Sequence, residues 1–550
     1  MVFSVPEVVK LLAVDLGASG GKYAEASFDP EEGVLRLEVN RFPNSPVTVR
    51  GHRYWDVLHL WERISSVLAH SEARSVGIDS WGVDFALLDD NDELLFNPYS
   101  YREYSDRGLM QEVMGKLGKE RIYGETGIQF MPFNSLYQLY ALFKAGKLQR
   151  VATLLMIPDL FNFWLTGKKA VERTNATTTQ FFNSRKGEWC YDLLEDLGLK
   201  STDFLPQVVE PGRQLGRVEP VSLPAPASVE SGPLLSLPAA HDTASAIAGA
   251  PMVGPGVGYI SSGTWDLIGL ELSNPVINGE ALSANFSNEG GAFDSVDFLR
   301  NAQGMWIIQG IGKDLEEAGT PMSFDEMTRK AAQAEDVRGF VDVDDPSLLA
   351  PPSMSSALRE LLTKNGHEVP KDVGWLIRLV LKSLALKRRH VLKKAEALTG
   401  ERLRAVNVVG GGSRNWLLNQ MTADALGLPV VAGPEEATAA GNLLVQLSAL
   451  GFANSLSQLR EIASRSFALR TYYPSDAGQK AMEDAYADYA ELMGDRGSGW
   501  PRFRLGLPPQ GPGSVHQRRR ANPQNVLYDE KRGHQGDYWD YPVKGERRED

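Results

Sequence analysis

Short apolar runs followed by glycine turns recur along the chain. Residues 11–28 read as an apolar run, a Gly turn and an alternating apolar–polar run, and residues 258–271 repeat that pattern. Alternation of apolar and polar residues is typical of a half-buried strand, so each segment predicts a β-hairpin. The two hairpins favour a chain built from two related halves, with chance similarity of short segments as the alternative.

Longer segments carry a helical period. Apolar residues at three- and four-residue spacings predict a helix over 374–398, and Gly400 supplies its stop. The same period predicts further helices near 134–147, 156–166, 416–426, 437–450 and 477–493. Residues 75–89 read as strand, turn and strand, and a short strand is predicted at 406–409.

The composition is that of a soluble globular protein of more than one domain. The chain has 550 residues, of which 43% are hydrophobic and 23% charged, and this length exceeds one ordinary hydrophobic core. From residue 496 onward, 14 of 55 residues are Gly or Pro and no period is visible. That composition predicts a disordered tail, and a partner-binding role is the alternative.

Charge and cysteine content narrow the possible partners and the compartment. Residues 1–495 carry 46 Lys and Arg against 63 Asp and Glu, a net charge of −17. We therefore expect neither a nucleic-acid nor a membrane partner. Any phosphate must therefore be held by local donors and a metal.

The cysteine content bears on the compartment. The single cysteine, Cys190, excludes an intrachain disulfide. Without an apparent signal peptide or an apolar run of membrane length, a cytoplasmic protein is expected.

Asp15 ends the first predicted strand and opens the first glycine turn. A carboxylate at that place can hold Mg²⁺ near the phosphates of a nucleotide. The backbone amides of Ser19, Gly20 and Gly21, together with the Lys22 ammonium, can then contact phosphate oxygens. The alternative is a hairpin turn with an incidental aspartate.

Two further motifs carry candidate chemistry. Residues 410–415 form a glycine-rich turn between a strand and a helix, which suits either a nucleotide contact or simple packing, and they match neither a Walker loop nor the GxGxxG pattern. Asp242 precedes a small-residue segment. Its carboxylate can accept a proton from an attacking hydroxyl, although Asp242 or Thr243 can equally cap the helix that starts there.

Residues 126–139 mix hydrogen-bonding side chains with aromatic ones. The polar members are Gln129, Asn134, Tyr137 and Gln138. A site for a polyol needs that mixture of groups, while a packed loop and helix start is the other interpretation. The eight histidines show no metal-binding spacing, so structural zinc is not expected.

Taken together, these segments resemble the FGGY family of carbohydrate kinases. The resemblance keeps the family's order and covers the chain from about 10 to 450, through the stretches 14–22, 77–89, 126–139, 241–251, 261–271, 288–301 and 410–442. It implies an α/β, two-domain actin-like ATPase fold of the ribonuclease H-like type, with a cleft between the domains. The implied division is a sugar-binding domain over 1–250, a nucleotide-binding domain over 251–495, and the tail 496–550.

The resemblance also implies the reaction and its cofactors. The enzyme would transfer the γ-phosphoryl group of ATP, with Mg²⁺, to the C1 hydroxyl of L-rhamnulose, and Asp242 would be the base. L-Fuculose or another ketose is the alternative substrate, and a non-catalytic nucleotide-binding regulator is the alternative of another class. Both a monomer and a homodimer stay open.

Site residues carry over where the motifs match. Those on the nucleotide side are Ala18, Ser19, Gly20, Gly21, Lys22, Thr264, Asn301, Gln309, Gly410, Gly411 and Gly412. Those on the sugar side are Gly82, His241, Asp242 and Thr243, and the metal-organising carboxylate is Asp15.

Two departures from the family pattern concern single residues. Lys22 stands where arginine is usual, which replaces a bidentate fork with a point charge. Glu103 replaces a common aspartate, so contacts near Gly82, Glu103 and Gln129 are expected to decide which sugar is bound.

Overall fold

The computed structural model describes residues 7–104, 108–224, 232–252, 254–335, 339–369 and 372–494. The tail predicted to be disordered, residues 496–550, lies outside this part of the chain. Among the described helices, none combines the length and the apolar character that a membrane crossing requires.

The first half of the chain alternates strands and helices. Its strands are β1 (Val9–Gly17), β2 (Gly20–Asp29), β3 (Val34–Phe42), β4 (Val47–Val49), β5 (His52–Tyr54), β6 (Ser75–Ser80), β7 (Phe85–Leu88), β8 (Thr153–Met156), β9 (Val171–Glu172), β10 (Phe182–Asn183), β11 (Glu188–Trp189), β12 (Val208–Val209), β13 (Gln214–Arg217) and β14 (Leu234–Ser236). Its helices are α1 (Val57–His70), α2 (Leu109–Leu117), α3 (Lys119–Thr126), α4 (Ser135–Lys144), α5 (Ile157–Thr166), α6 (Arg173–Thr178), α7 (Tyr191–Asp196) and α8 (Asp242–Ala248).

The second half begins with another hairpin. Its strands are β15 (Val257–Ser262), β16 (Trp265–Leu272), β17 (Ser287–Gly290), β18 (Val296–Gln303), β19 (Ala405–Val409), β20 (Val430–Ala432) and β21 (Arg470–Tyr472). Its helices are α9 (Gly279–Ser283), α10 (Trp306–Glu317), α11 (Phe324–Gln333), α12 (Met354–Lys364), α13 (Val373–Thr399), α14 (Trp416–Leu426), α15 (Ala437–Ala449), α16 (Leu456–Ser466) and α17 (Asp476–Gly494).

Each half contains one large mixed sheet, and the two sheets share a strand order. The first runs β13-β14-β6-β1-β2-β3, and the second runs β21-β20-β19-β15-β16-β18-β17. In each, the opening hairpin is antiparallel, its first strand pairs in parallel with a later strand, and the far edge is antiparallel. The related halves expected from the two hairpins are therefore confirmed at the level of topology.

The elements predicted from periodicity form where they were expected. The strongly periodic segment is α13, which ends when Gly400 adopts a φ of 75°, in the left-handed region that favours glycine. The shorter predicted helices are α4, α5, α14, α15 and α17. Strand β1 is buried over almost its whole length because it lies inside the sheet between β2 and β6.

Helix α15 comes from the second half of the chain and packs against the first sheet. Its Asn442 amide donates to the carboxylate of Asp79 on β6 at 2.5 Å, and its Gln446 amide donates to the backbone oxygen of Leu12 on β1 at 2.9 Å. Helix α15 also crosses α8 with almost no space between the backbones. A Cβ on Gly441 would lie 1.7 Å from the backbone oxygen of Ser245.

A buried ion pair connects the elements of the second sheet. Arg388 on α13 is fully buried and donates from Nε to Asp266 at 2.7 Å and from Nη2 to the Ser262 hydroxyl at 2.8 Å. Its Nη1 donates to the hydroxyl of Thr422 on α14 at 3.1 Å. Each charged atom therefore has a partner, which is the condition for burying a charge.

We predict that Arg388→Met destabilises the protein by about 3–5 kcal/mol, because the Asp266 carboxylate is left buried without its counter-ion. The measurement is the free energy of unfolding from urea titration. Arg36→Met is the control: Arg36 on β3 is exposed and pairs with the exposed Glu32 in the turn before that strand, so we expect a loss under about 1 kcal/mol. Equal losses in the two variants would contradict the role given to the buried pair.

Candidate active site

A cavity of about 320 Å³ opens where the glycine turns of both halves meet the start of α8. This size is within the usual range for a small-molecule site. Most of the residues proposed from the sequence line it: Ala18, Ser19, Lys22, Gly82, His241, Asp242, Thr243, Thr264, Asn301, Gly410 and Gly411. Segments far apart in the chain therefore meet at one place.

Five proposed residues do not line the cavity: Asp15, Gly20, Gly21, Gln309 and Gly412. Gly21 packs against the Phe42 ring, which a Cβ would approach to 2.2 Å, and Gly412 packs against Ser262. Gln309 lies on α10 with its side chain exposed to solvent. The nucleotide contact expected of Gln309 stays a prediction.

Asp15 lies behind the first glycine turn in a cluster of charges. Its carboxylate is 3.5 Å from the Lys22 Nζ, and the same Nζ is 3.0 Å from Glu436, the residue that precedes α15. Arg41 pairs with the other oxygen of Glu436. Burial raises the pKa of Asp15, and the positive charge of Lys22 opposes that shift. Residue patterns did not indicate Glu436, because its partners Lys22 and Arg41 come from the opposite end of the chain.

Asp242 is the first residue of α8, and its side chain faces the cavity. The cap position before the helix is occupied by His241, whose side chain makes no capping hydrogen bond. Capping by Asp242 or Thr243 is therefore wrong. The carboxylate accepts a hydrogen bond from the Thr243 hydroxyl at 3.3 Å. Burial in the surrounding protein, reinforced by the nearby negative charge of Asp15, raises the pKa of Asp242 to about 7.

His241 lies between two carboxylates. Its Nε2 is 3.5 Å from Asp242 Oδ1, and its Nδ1 is 3.4 Å from Glu289 Oε2. Burial lowers the pKa of His241 to about 4, so its imidazole is neutral at physiological pH, and burial raises the pKa of Glu289 to about 7. Glu289 lines the cavity from β17. Reasoning from residue types missed it, because a lone glutamate in a strand carries no spacing signal.

The glycine turn after β19 lies against the turn of the second hairpin. Gly410 adopts a φ of 81°, and a Cβ on Gly412 would lie 2.0 Å from the Ser262 hydroxyl oxygen. That hydroxyl is held by Asp266 and Arg388. The buried ion pair of the second sheet thus supports the floor of the cavity.

The opposite side of the cavity is aromatic and is organised by Asp84. Trp81, Tyr101 and Phe133 line this wall. The buried Asp84 carboxylate accepts hydrogen bonds from the indole of Trp81 at 2.9 Å and from the backbone amide of Tyr101 at 3.1 Å. The indole of Trp55 donates to the same oxygen at 2.6 Å. Four donors reach this one carboxylate, the amide of Gln138 included.

The segment 126–139 contributes to the site in part. Gln129 and Asn134 line the cavity, whereas Tyr137 and Gln138 are buried in the core. Gln129 accepts a hydrogen bond from the backbone amide of Asn301 at 2.9 Å, which links the two halves.

Glu103 was expected near the sugar, but it does not line the cavity. Its carboxylate instead pairs with His52 at 2.8 Å and accepts from the Arg53 amide.

The two sheets of shared topology, with the cavity at their junction, define a two-domain α/β fold of the actin-like ATPase class. Solved structures with this fold include a xylulose kinase from Lactobacillus acidophilus, with a TM-score of 0.71 at 16% identity, covering 88% of this chain and 98% of that chain. A Plasmodium falciparum glycerol kinase with ADP superposes with a TM-score of 0.69 at 15% identity and the same coverage.

The chain belongs to the FGGY family of carbohydrate kinases. The family's N-terminal domain matches residues 11–249 and its C-terminal domain matches residues 258–450. A rhamnulokinase of Bacteroides thetaiotaomicron is 38% identical over 489 residues, which cover 88% of this chain and 99% of the relative. A rhamnulokinase of Bacillus subtilis is 35% identical over 480 residues, covering 86% and 97%. The protein is therefore an ATP-dependent sugar kinase.

We predict that Gly412→Ala destabilises the ligand-free protein by about 1–3 kcal/mol, because the added methyl group overlaps Ser262. Gly411→Ala is the matched control, since a Cβ there meets no atom within 4 Å, and its effect should stay within about 0.5 kcal/mol. Urea unfolding of the two variants measures the difference. An unchanged free energy of unfolding in Gly412→Ala would show that this turn relaxes to accept the methyl group.

Proposed function

We propose that the enzyme transfers the γ-phosphoryl group of ATP to the C1 hydroxyl of L-rhamnulose, giving L-rhamnulose 1-phosphate and ADP. The substrate is supported by relatives named rhamnulokinase that are 35–39% identical over most of the chain. The observation that carries the mechanism is the position of Asp242, whose carboxylate faces the cavity from the start of α8 with a pKa of about 7.

In this proposal Asp242 is the general base. A base is most effective when its pKa lies near the working pH, because it is then both deprotonated and able to accept a proton. The Asp242 carboxylate takes the proton of the C1 hydroxyl while that oxygen attacks the γ-phosphorus in line with the leaving ADP oxygen. Positioning and charge neutralisation carry most of the rate enhancement in phosphoryl transfer.

The nucleotide occupies the side of the cavity formed by the glycine turns. Ala18, Ser19 and Lys22 face the phosphates together with Thr264, and Gly410 and Gly411 lie along the adenosine. Each of these residues lines the cavity. Gly20, Gly21 and Gly412 shape the turns from behind. Asn301 lines the cavity beside Gln129, and we assign it to the boundary between nucleotide and sugar.

Mg²⁺ fits this arrangement as a companion of the nucleotide. No group of three or more metal-binding side chains occurs among residues 7–494 where they are described, and Mg²⁺ is usually held by one or two carboxylates plus substrate phosphates. Asp15 supplies such a carboxylate next to the first turn. When bound, Mg²⁺ neutralises charge on the phosphate oxygens.

The sugar lies between Gly82 and the aromatic wall, next to His241, Asp242 and Thr243. At Gly82 a Cβ would approach the Thr178 side chain to 2.9 Å, so the glycine lets the backbone pack closely on Thr178 at this edge of the cavity. Trp81, Tyr101 and Phe133 offer apolar faces suited to the methyl group of a deoxyketose. We place the sugar-binding domain at 1–250 and the nucleotide-binding domain at 251–495.

We predict that ADP release with Mg²⁺ and ATP is fastest with L-rhamnulose, that it stops without the metal, and that Asp242→Asn lowers kcat at least about 100-fold. L-Fuculose, ribuloses, xylulose and glycerol are the comparison substrates in a coupled assay. ATP binding by the Asp242→Asn variant, measured by calorimetry, controls for misfolding. Preference for another sugar would show that L-rhamnulose is not the substrate. Full activity of Asp242→Asn would refute the role of Asp242 as the base.

We also predict an acidic limb in the pH profile. Asp242 acts only when deprotonated, and its raised pKa means that the active fraction grows as pH rises through about 7. Below that value, kcat/KM for the sugar should fall about tenfold per pH unit. If the pKa of Asp242 were the ordinary value near 3.8, the profile would be flat from about pH 5.5 to about pH 8. That result would contradict the raised pKa of Asp242.

A further inference from the structure

Glu289 completes a row of three side chains that begins at the base. From the Asp242 carboxylate the row passes through the His241 ring to the Glu289 carboxylate, with separations of 3.5 and 3.4 Å. Asp242 and His241 stand at the start of α8, whereas Glu289 belongs to β17 of the second half. The row therefore crosses from one half of the protein to the other.

The inner end of this row consists of polar atoms with no other partner. Glu289 Oε2 and His241 Nδ1 are both buried, and neither makes a hydrogen bond elsewhere in the described part of the chain. Such groups are costly unless they satisfy each other. At 3.4 Å their separation is at the outer limit of hydrogen bonding, and contacts of this kind shorten when a site closes on its ligand.

A neutral imidazole carries one N–H, and its partner decides which nitrogen holds it. Carboxylates face both nitrogens, but Asp242 is partly exposed at the cavity and already accepts from the Thr243 hydroxyl, whereas Glu289 Oε2 is buried with no hydrogen bond among the described residues. A hydrogen on Nδ1 therefore satisfies Glu289 and leaves Nε2 as an acceptor. The Nε2 acceptor then faces Asp242, the residue that must pass on the proton taken from the sugar.

We infer that Glu289 is a positioning residue, which holds the Nδ1–H of His241 and so makes Nε2 the acceptor for the proton that Asp242 removes from the sugar. This inference rests on the proposed function, because it concerns the fate of the proton released in phosphoryl transfer.

The proton balance closes without a co-reactant. The hydroxyl O–H bond of the sugar breaks as its oxygen bonds to phosphorus, and the proton moves to Asp242. It passes from Asp242 to His241 Nε2 while the Nδ1 proton passes to Glu289. The imidazole is neutral before and after, which suits a ring whose burial disfavours the charged form. Asp242 regains its negative charge, and Glu289 holds the proton until the site opens to water.

Other charged and titratable groups surround this row. Asp15 and Asp79 act on Asp242 from the first sheet, and Asp297 lies opposite Glu289 on β18. Tyr259 on β15 is buried near Glu289 and Asp297. Of these four residues, none lines the cavity. Asp297 therefore offers a matched control: a buried carboxylate beside Glu289 that forms no hydrogen bond or ion pair with His241 in the described part of the chain.

Glu289→Gln tests the inference by kinetics. The amide of glutamine can donate to Nδ1, which moves the ring hydrogen to Nε2 and turns it toward Asp242. We expect kcat to fall about 10–100-fold with KM changed less than about threefold, a loss like that on removing the hydrogen-bond partner that orients a metal-bound imidazole. The acidic limb of the pH profile should move to lower pH, because a donor at Nε2 and the loss of a nearby negative charge both favour ionised Asp242.

Glu289→Asp and Asp297→Asn are the comparison variants. The shorter carboxylate of Glu289→Asp should restore part of kcat, whereas Asp297→Asn should keep the wild-type pH profile. A Glu289→Gln enzyme with unchanged kcat and pH profile, or Asp297→Asn with the same shift, would overturn the inference.

The tautomer of His241 supplies a readout that does not require turnover. The full chain labelled with ¹⁵N-histidine contains eight histidines, and His241→Asn identifies the signal of His241 by its loss. We expect the hydrogen on Nδ1 in the wild type and in Asp297→Asn, and on Nε2 in Glu289→Gln. A hydrogen on Nε2 in the wild type would overturn the inference even if the sugar kinase activity is confirmed. The expected tautomers in a protein inactive on every ketose would refute the proposed function and leave the Glu289–His241 contact established.

Discussion

The close crossing of α8 and α15 is the constraint on which the rest of the structure depends. Gly441 and Gly249 let the backbones of the two helices touch, since a Cβ on Gly249 would lie 2.5 Å from the backbone oxygen of Ala437. Helix α8 begins with Asp242, and α15 begins directly after Glu436. Because both helices begin beside the cavity, their crossing brings the proposed base and the carboxylate that holds Lys22 to the same place.

The site concentrates negative charge in a protein that is already acidic. Asp15 and Glu289 are buried near the cavity and Asp242 is half-buried at it, and removal from water raises the pKa of each. Lys22 and Arg41 offset part of that charge. A nucleotide therefore depends on backbone donors of the turns and on a metal, while the same burial gives Asp242 the basicity that proton removal needs.

Local patterns predicted the elements well, because the period of a helix or a strand depends on neighbouring residues. The β1–β2 and β15–β16 hairpins and the long helix α13 follow from apolar spacing alone. The glycine turns and Asp242 were also found in this way, and the family resemblance joined them into one site. Glu436 and Glu289 were missed as functional residues, since their partners lie far away in the chain. Asp84 was missed because its donors come from several separate segments, including Trp55, Tyr101 and Gln138. Glu103 and Gln309 were assigned by motif, yet neither lines the cavity.

The sequence by itself determined the strands, the helices, the two related halves and the family. Each of these depends on residues that are close together in the chain or on motifs that keep their order. Only the tertiary structure decided which side chains share the cavity and which charges are buried. The reason is physical: a pKa or an ion pair depends on distance and on exclusion of water, and both arise when segments such as α8, β17 and α15 pack together.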